Sequence, residues 1–203
     1  LTGYGVTVFH DGARGTRPVQ TVEWDAAAAG KAGHDHYMHK ESHEQPAALR
    51  QAISGRFDTL GSEPTLDVSL DDRYLQAVDA IHIVACGTSY HAGLYAQGLL
   101  ESLVDVPVRV EIASQYEVRA GHDPRRTLVL AVTQSGETAD TLAALRRAKA
   151  AGMTTFAVTN TVGSTVTREV DDALFIKAGP EIGVAATKTF VSQVTALALF
   201  VVY

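Results

Sequence analysis

Three short stretches combine hydroxyls, glycines and the start of a helix: Gly87-Thr88-Ser89-Tyr90, Thr133-Gln134-Ser135-Gly136-Glu137-Thr138, and Gly179 followed by Glu181-Ile182-Gly183-Val184-Ala185-Ala186-Thr187-Lys188. Each follows an apolar run that stops abruptly, and each leads into a helical pattern. The combination suits an anion. A helix N-terminus offers N–H groups without partners and the positive end of the helix dipole. Glycine lets the backbone approach closely. Ser and Thr hydroxyls donate to phosphate oxygens and accept from sugar hydroxyls. No arginine cluster accompanies them, which points to a small phosphorylated ligand with a neutral rim rather than a polyanion. A plainer role competes at each position, because Ser and Thr at helix starts commonly act as N-caps. Recurrence at several strand ends of one sheet favours a shared site. Neither G-x-G-x-x-G after a strand nor G-x-x-x-x-G-K-[ST] occurs, so a dinucleotide or ATP role finds no support.

Strand–helix alternation must position these loops. Apolar runs rich in β-formers occur at 81–86, 108–113, 127–132, 154–159 and 172–177. Four of the five are nearly continuous rather than alternating, as in parallel strands buried on both faces. Helical stretches lie between them at 89–103 and 138–152, with a shorter one near 164–170. Leu142 and Leu145 mark one side of the second, Arg146, Arg147 and Lys149 its end, and Gly152 its C-cap. The order predicts an α/β fold with a doubly wound five-stranded parallel sheet and right-handed crossovers. In such a sheet ligands bind beyond the carboxyl ends of the strands, where the three loops fall.

The N-terminal third reads differently. Residues 5–12 form a short strand with a turn at Asp11-Gly12, and a loose stretch follows. Residues 31–65 are polar and helix-prone, with a helix expected over 47–56 and Pro46 in its first turn. Gly55 and the GSEP of 61–64 close it. Three segments are expected: 1–30, a connector over 31–65, and the α/β unit over 66–203. The chain has no initiator Met and ends inside an uncapped helical pattern, so it reads as a fragment of a longer protein.

Bulk properties bound the function. Of 203 residues, 46% are hydrophobic and 20% charged, ordinary for a globular chain. The net charge of −6 has no long runs, which speaks against nucleic acid or an anionic membrane as partner. The apolar segment 194–203 is too short for a bilayer, which needs about 20 residues. No signal peptide is visible, and one cysteine, Cys86, fits a reducing compartment. Cys86 is expected as a small buried hydrophobe at a strand end. On a helix His36, His39 and His43 would share a face, but with His34 they read as surface histidines of a polar connector, and no metal is expected. Lys188 reaches either a phosphate or solvent. Glu137 caps backbone N–H groups or bonds sugar hydroxyls. His91 is an ordinary helix residue, and Trp24 packs in the N-terminal segment.

CGTSYHAG (86–93), QSGETADTL (134–142) and EIGVAATKTF (181–190), in that order, resemble the sugar isomerase (SIS) domain. With HYMHKESHEQP (36–46) they resemble, more narrowly, the first SIS domain of the glutamine–fructose-6-phosphate aminotransferase (isomerising) family, the glucosamine-6-phosphate synthases. GVTVFHDG and VEWD resemble the end of that family's glutaminase domain. The resemblance implies a flavodoxin-like three-layer sandwich over 66–203, truncated at its C-terminus, preceded by a short remnant of an α+β glutaminase domain over 1–30.

The same resemblance implies an enzyme that moves ammonia from glutamine to fructose 6-phosphate, giving glucosamine 6-phosphate and glutamate, with no cofactor. Carried over by position, the sugar-phosphate contacts are Thr88, Ser89, Thr133, Gln134, Ser135 and Thr138, with Val184 and Ala186 nearby. Thr133 stands where the family commonly has Ser and keeps the hydroxyl. Ala186 stands where bacterial members have Ser, so only its backbone can make contact. The family's cysteine nucleophile lies upstream of residue 1, and its isomerase base and Schiff-base lysine lie beyond residue 203. No catalytic residue is therefore expected here: the piece binds fructose 6-phosphate or glucosamine 6-phosphate without turnover, glutamine being handled upstream. A cytoplasmic homodimer is implied. A non-catalytic sugar-phosphate sensor and a stand-alone ketose–aldose isomerase are the alternatives, both disfavoured by the glutaminase-like upstream segment.

Overall fold

The computed structural model describes residues 7–16, 29–57, 64–119, 121 and 123–203. Val8–His10 (β1) and Ala13–Gly15 (β2) pair antiparallel around Asp11-Gly12. Both turn residues have positive φ (50° and 79°), as a tight hairpin with right-handed strand twist requires. The sequence shows the turn but not the return strand, whose Ala-Arg-Gly has no β signature. The VEWD segment with Trp24, and all of the GSEP stretch but Pro64, lie outside the described residues.

One helix, Tyr37–Ile53 (α1), lies within the stretch expected as a connector. It starts ten residues before the expected helix, and Pro46 lies inside it rather than in its first turn. An interior proline costs about 3 kcal/mol. Packing against Lys188–Val202 (α6), with Ala48 and Ala52 buried, holds the helix together through it. Gly55 follows with φ 72°, ending the helix as expected. Asp72–Ala77 (α2) is capped by Asp71, whose side chain accepts from Arg73 N at 2.8 Å. At six residues it is too short to show a helical period.

The remainder is the doubly wound sheet. Its strands are Ala80–Ala85 (β3), Val108–Ile112 (β4), Thr127–Thr133 (β5), Thr154–Thr159 (β6) and Asp172–Phe175 (β7), all parallel, in the order β4-β3-β5-β6-β7. All five expected runs are present within two residues at either end. The helices are Thr88–Leu103 (α3), Ala139–Ala150 (α4), Thr165–Glu169 (α5) and α6.

Side-chain alternation along the strands builds two cores. Ile81, Ile83, Leu128, Leu130, Val132, Phe156 and Val158 face α3 and α6, where Phe200 stacks on Phe156 with ring centroids 4.9 Å apart. Val84, Val129, Ala131 and Ala157 face Leu142, Leu145 and Ala148 of α4. Both faces are covered, so the central strands read as continuous apolar runs. The chain leaves β3 toward β4 on one side and β5 on the other. That makes the ends of β3 and β5 the topological switch point, where a crevice opens.

Candidate functional site

After β3 the chain turns through Gly87 at φ 58° and ψ −135°, a conformation that a side chain strongly disfavours. This places Thr88 and Ser89 in the first turn of α3, with Cys86 beneath them. Ser89 Oγ receives a hydrogen bond from the buried Gln193 amide of α6 at 3.0 Å, which leaves the hydroxyl proton free to donate elsewhere.

The second loop folds on its own hydroxyls. Thr133 Oγ1 accepts from Gly136 N at 3.3 Å, and Ser135 Oγ from Glu137 N at 3.2 Å. Gly136 has φ 67°, and its carbonyl accepts from Val166 N at 3.0 Å. A Cβ there would lie 2.7 Å from Val166 Cγ1, so only glycine permits this approach. Glu137 reaches across to α5, where Oε1 accepts from Thr165 N at 2.7 Å. That bond holds its carboxyl below the usual carboxylate range. Of the two roles read for Glu137, capping is the one observed.

The third loop is held from both ends. Glu181 Oε1 accepts from Thr187 N at 2.8 Å and Thr187 Oγ1 at 3.1 Å, and its other oxygen accepts from Thr189 Oγ1. The fully buried Glu41 of α1 accepts from Ile182 N at 2.6 Å and from Gly183 N at 3.1 and 3.2 Å. Gly183 has no side chain to obstruct this: a Cβ there would lie 2.5 Å from Glu41 Oε2. Lys188 is not solvated. It is buried, with Nζ 2.7 Å from Glu44, whose other oxygen lies 3.3 Å from Lys40. Burial opposes charging of Glu44, but the two ammoniums prevail and lower its pKa.

These loops enclose one cavity of about 350 Å³. All eight residues singled out by the sequence line it: Thr88 and Ser89 from α3, Thr133, Gln134, Ser135 and Thr138 from the second loop, Val184 and Ala186 from the third. Gly87, Val132 and Cys86 complete the wall. Cys86 is thus half-buried at the cavity rather than enclosed in the core, because β3 ends one residue before it. Among the described residues, no acid, amine or imidazole lines the space. The helix-cap alternative does not describe these hydroxyls. Of the residues lining the cavity, Gly87 and Thr138 are N-caps, of α3 and α4; Gly87 has no side chain to cap with, and Thr138 makes no side-chain cap bond. The cavity therefore faces helix N-termini and hydroxyls still able to bind, a neutral donor-rich surface suited to a phosphate.

Glu41, Glu181 and Gln193 were not singled out by the sequence reading. Glu41 lies 141 residues from Ile182, so no local pattern connects them. The histidines also rearrange. His36 is the N-cap position of α1, and His34 rather than His36 joins His39 and His43. His91 is exposed on α3, as an ordinary helix residue.

Sheet order, switch-point cavity and loop chemistry together define a sugar-isomerase-type domain. The chain belongs to the SIS domain family, whose model matches residues 74–203. It is 64% identical over its full 203 residues to a glutamine–fructose-6-phosphate aminotransferase (isomerising) of Halobacterium salinarum, and 43% identical over 205 aligned residues to that of Clostridium tetani. It spans about a third (34%) of the length of either relative. Among solved structures, the C-terminal domain of glucosamine-fructose-6-phosphate aminotransferase from Francisella tularensis matches with a TM-score of 0.76 and 42% identity, over 85% of this chain and 49% of that one. No helix among the described residues is long and apolar enough to cross a membrane.

Proposed function

We propose that this chain is the connector and first SIS domain of an isomerising glutamine–fructose-6-phosphate aminotransferase, and that its cavity binds fructose 6-phosphate and glucosamine 6-phosphate. Residues 1–30 are then the end of the glutaminase domain and 31–65 the connector. One observation supports the reading: three strand-end loops converge on a cavity whose one cap hydroxyl, that of Thr138, makes no cap bond, and whose wall among the described residues holds no charged side chain. The phosphate sits against the N-termini of α3 and α4, within reach of Thr88, Ser89, Ser135 and Thr138. Thr133 and Gln134 shape the loop, and Val184 and Ala186 bound the sugar. With no acid or base at the wall, these residues bind and orient the substrate but do not turn it over. Glutamine hydrolysis belongs to the preceding domain, and a cytoplasmic homodimer accompanies this reading.

The test is calorimetric titration with both sugar phosphates, using free fructose and inorganic phosphate as controls. The parent should bind the phosphosugars saturably, and a Ser135→Ala, Thr138→Ala double variant should bind them at least about tenfold more weakly. Thr138→Ala alone should leave the melting temperature nearly unchanged, because no cap bond is lost. A true N-cap would cost about 1 kcal/mol. A folded parent that ignores both sugars overturns the proposal.

A further inference from the structure

A second constellation lies at the start of α1, among residues that do not line the cavity. His39 and His43 stand one turn apart on α1, with ring centroids separated by 4.7 Å. The chain before α1 turns through Ala32 and Gly33, both at positive φ (48° and 85°), and His34 N donates to Lys31 O at 3.0 Å. This turn folds His34 back onto the helix start. Its ring centroid then lies 5.0 Å from that of His39 and 5.6 Å from that of His43. One ring nitrogen from each histidine falls within 4.8 Å of the others.

We propose that His34, His39 and His43 form a three-imidazole site for a divalent transition ion of the zinc type. At a metal–nitrogen distance of about 2.0–2.1 Å, tetrahedral ligands stand roughly 3.4 Å apart, within a small side-chain rotation of the observed spacing. His34 Nδ1 and His39 Nδ1 already face each other at 3.5 Å. His43 Nδ1 lies 2.9 Å from the carbonyl oxygen of His39. Donation to that carbonyl leaves the lone pair on Nε2 and orients the ring, the outer-shell arrangement typical of metal-bound histidine. Imidazole is a borderline ligand that selects zinc, copper, nickel or cobalt over magnesium or calcium. The exposure of His39 and His43 leaves a fourth position to water. A bound ion staples the 31–36 turn to the first two turns of α1, next to Glu41 and Glu44. The proposal stands independently of the sugar-phosphate reading.

The untagged protein, stripped with a chelator, is titrated with zinc(II) against a chromogenic chelator, and separately with cobalt(II). One ion per chain is expected, with the visible bands of four-coordinate cobalt and a rise in melting temperature on zinc addition. His39→Gln and His43→Gln should each weaken binding by roughly 10- to 100-fold or more and abolish the rise. His36→Gln should change neither. Both key side chains are exposed, so the apo variants should melt with the parent. Absence of stoichiometric binding, purely six-coordinate cobalt, or equal loss in His36→Gln overturns the proposal.

Discussion

Replacing Glu41 with alanine tests how α1 governs the pocket. Glu41 is 1% exposed and is the acceptor for two successive backbone N–H groups, of Ile182 and Gly183. Hydrogen bonds to a charged acceptor contribute about 1.5–3 kcal/mol each where water is excluded. Ile182 is 51% exposed, so water replaces part of the loss at that end. A total destabilisation of about 2–4 kcal/mol follows for the helix–loop contact. If half of it falls on the ordered state of the loop, the share of molecules holding Val184 and Ala186 at the cavity drops, and apparent affinity drops with it. A loss of about 1–2 kcal/mol corresponds to roughly 5- to 30-fold weaker binding. Glu41→Gln keeps one carbonyl acceptor but sets an NH₂ against an N–H, so its effect should be intermediate. The assays are calorimetric titration with fructose 6-phosphate and amide hydrogen exchange at residues 182–186. A folded Glu41→Ala protein with unchanged affinity and unchanged protection there would refute the reasoning.

Gly136→Ala should destabilise by about 2–4 kcal/mol, from positive φ and from overlap with Val166, and should eliminate sugar-phosphate binding; thermal melts and titration check both. Ala186→Ser places a hydroxyl in the cavity wall and should tighten fructose 6-phosphate binding roughly 2- to 10-fold, read by the same titration. Glu44 and Asp171 contribute to the acid side of stability. Burial raises the pKa of each, but Lys188 and Lys40 at Glu44, and the Thr155 N–H and hydroxyl with Lys149 at Asp171, lower it further. The folded protein therefore binds these protons more weakly than the unfolded chain does. Their contribution is full above the ordinary carboxylate range near pH 4 and disappears as pH falls through and below it. Glu44→Gln should flatten that decline in denaturant titrations between neutral and acid pH.

Much of the α/β unit is legible in the sequence because its signals are local. A strand buried on both faces must be apolar throughout, and 127–132 and 154–159 are. The hydroxyl loops follow those runs directly, so strand–helix alternation alone places them at one edge of a sheet. A resemblance carried by three ordered motifs then names the eight residues that prove to line one cavity. Signals fail where an element is short or sustained from outside. Asp72–Ala77 has too few residues to show a period. The helix over Tyr37–Ile53 runs through Pro46 because α6 lies against it.

The sequence by itself determined the sheet's composition, the order of its elements, and which loops could present hydroxyls and N–H groups to an anion. Only the tertiary structure decided what those groups do. Thr138 occupies a cap position yet its side chain caps nothing, Glu137 turns to α5, and Lys188 is neutralised by a carboxylate of α1. Likewise His34, not His36, completes the imidazole cluster, because a turn through two left-handed residues redirects the chain ahead of α1. The physical reason is common to all four. A residue's type limits the bonds it can make, but its partner is set by which atoms the packed chain brings within about 3 Å, for Lys188 from 144 residues away.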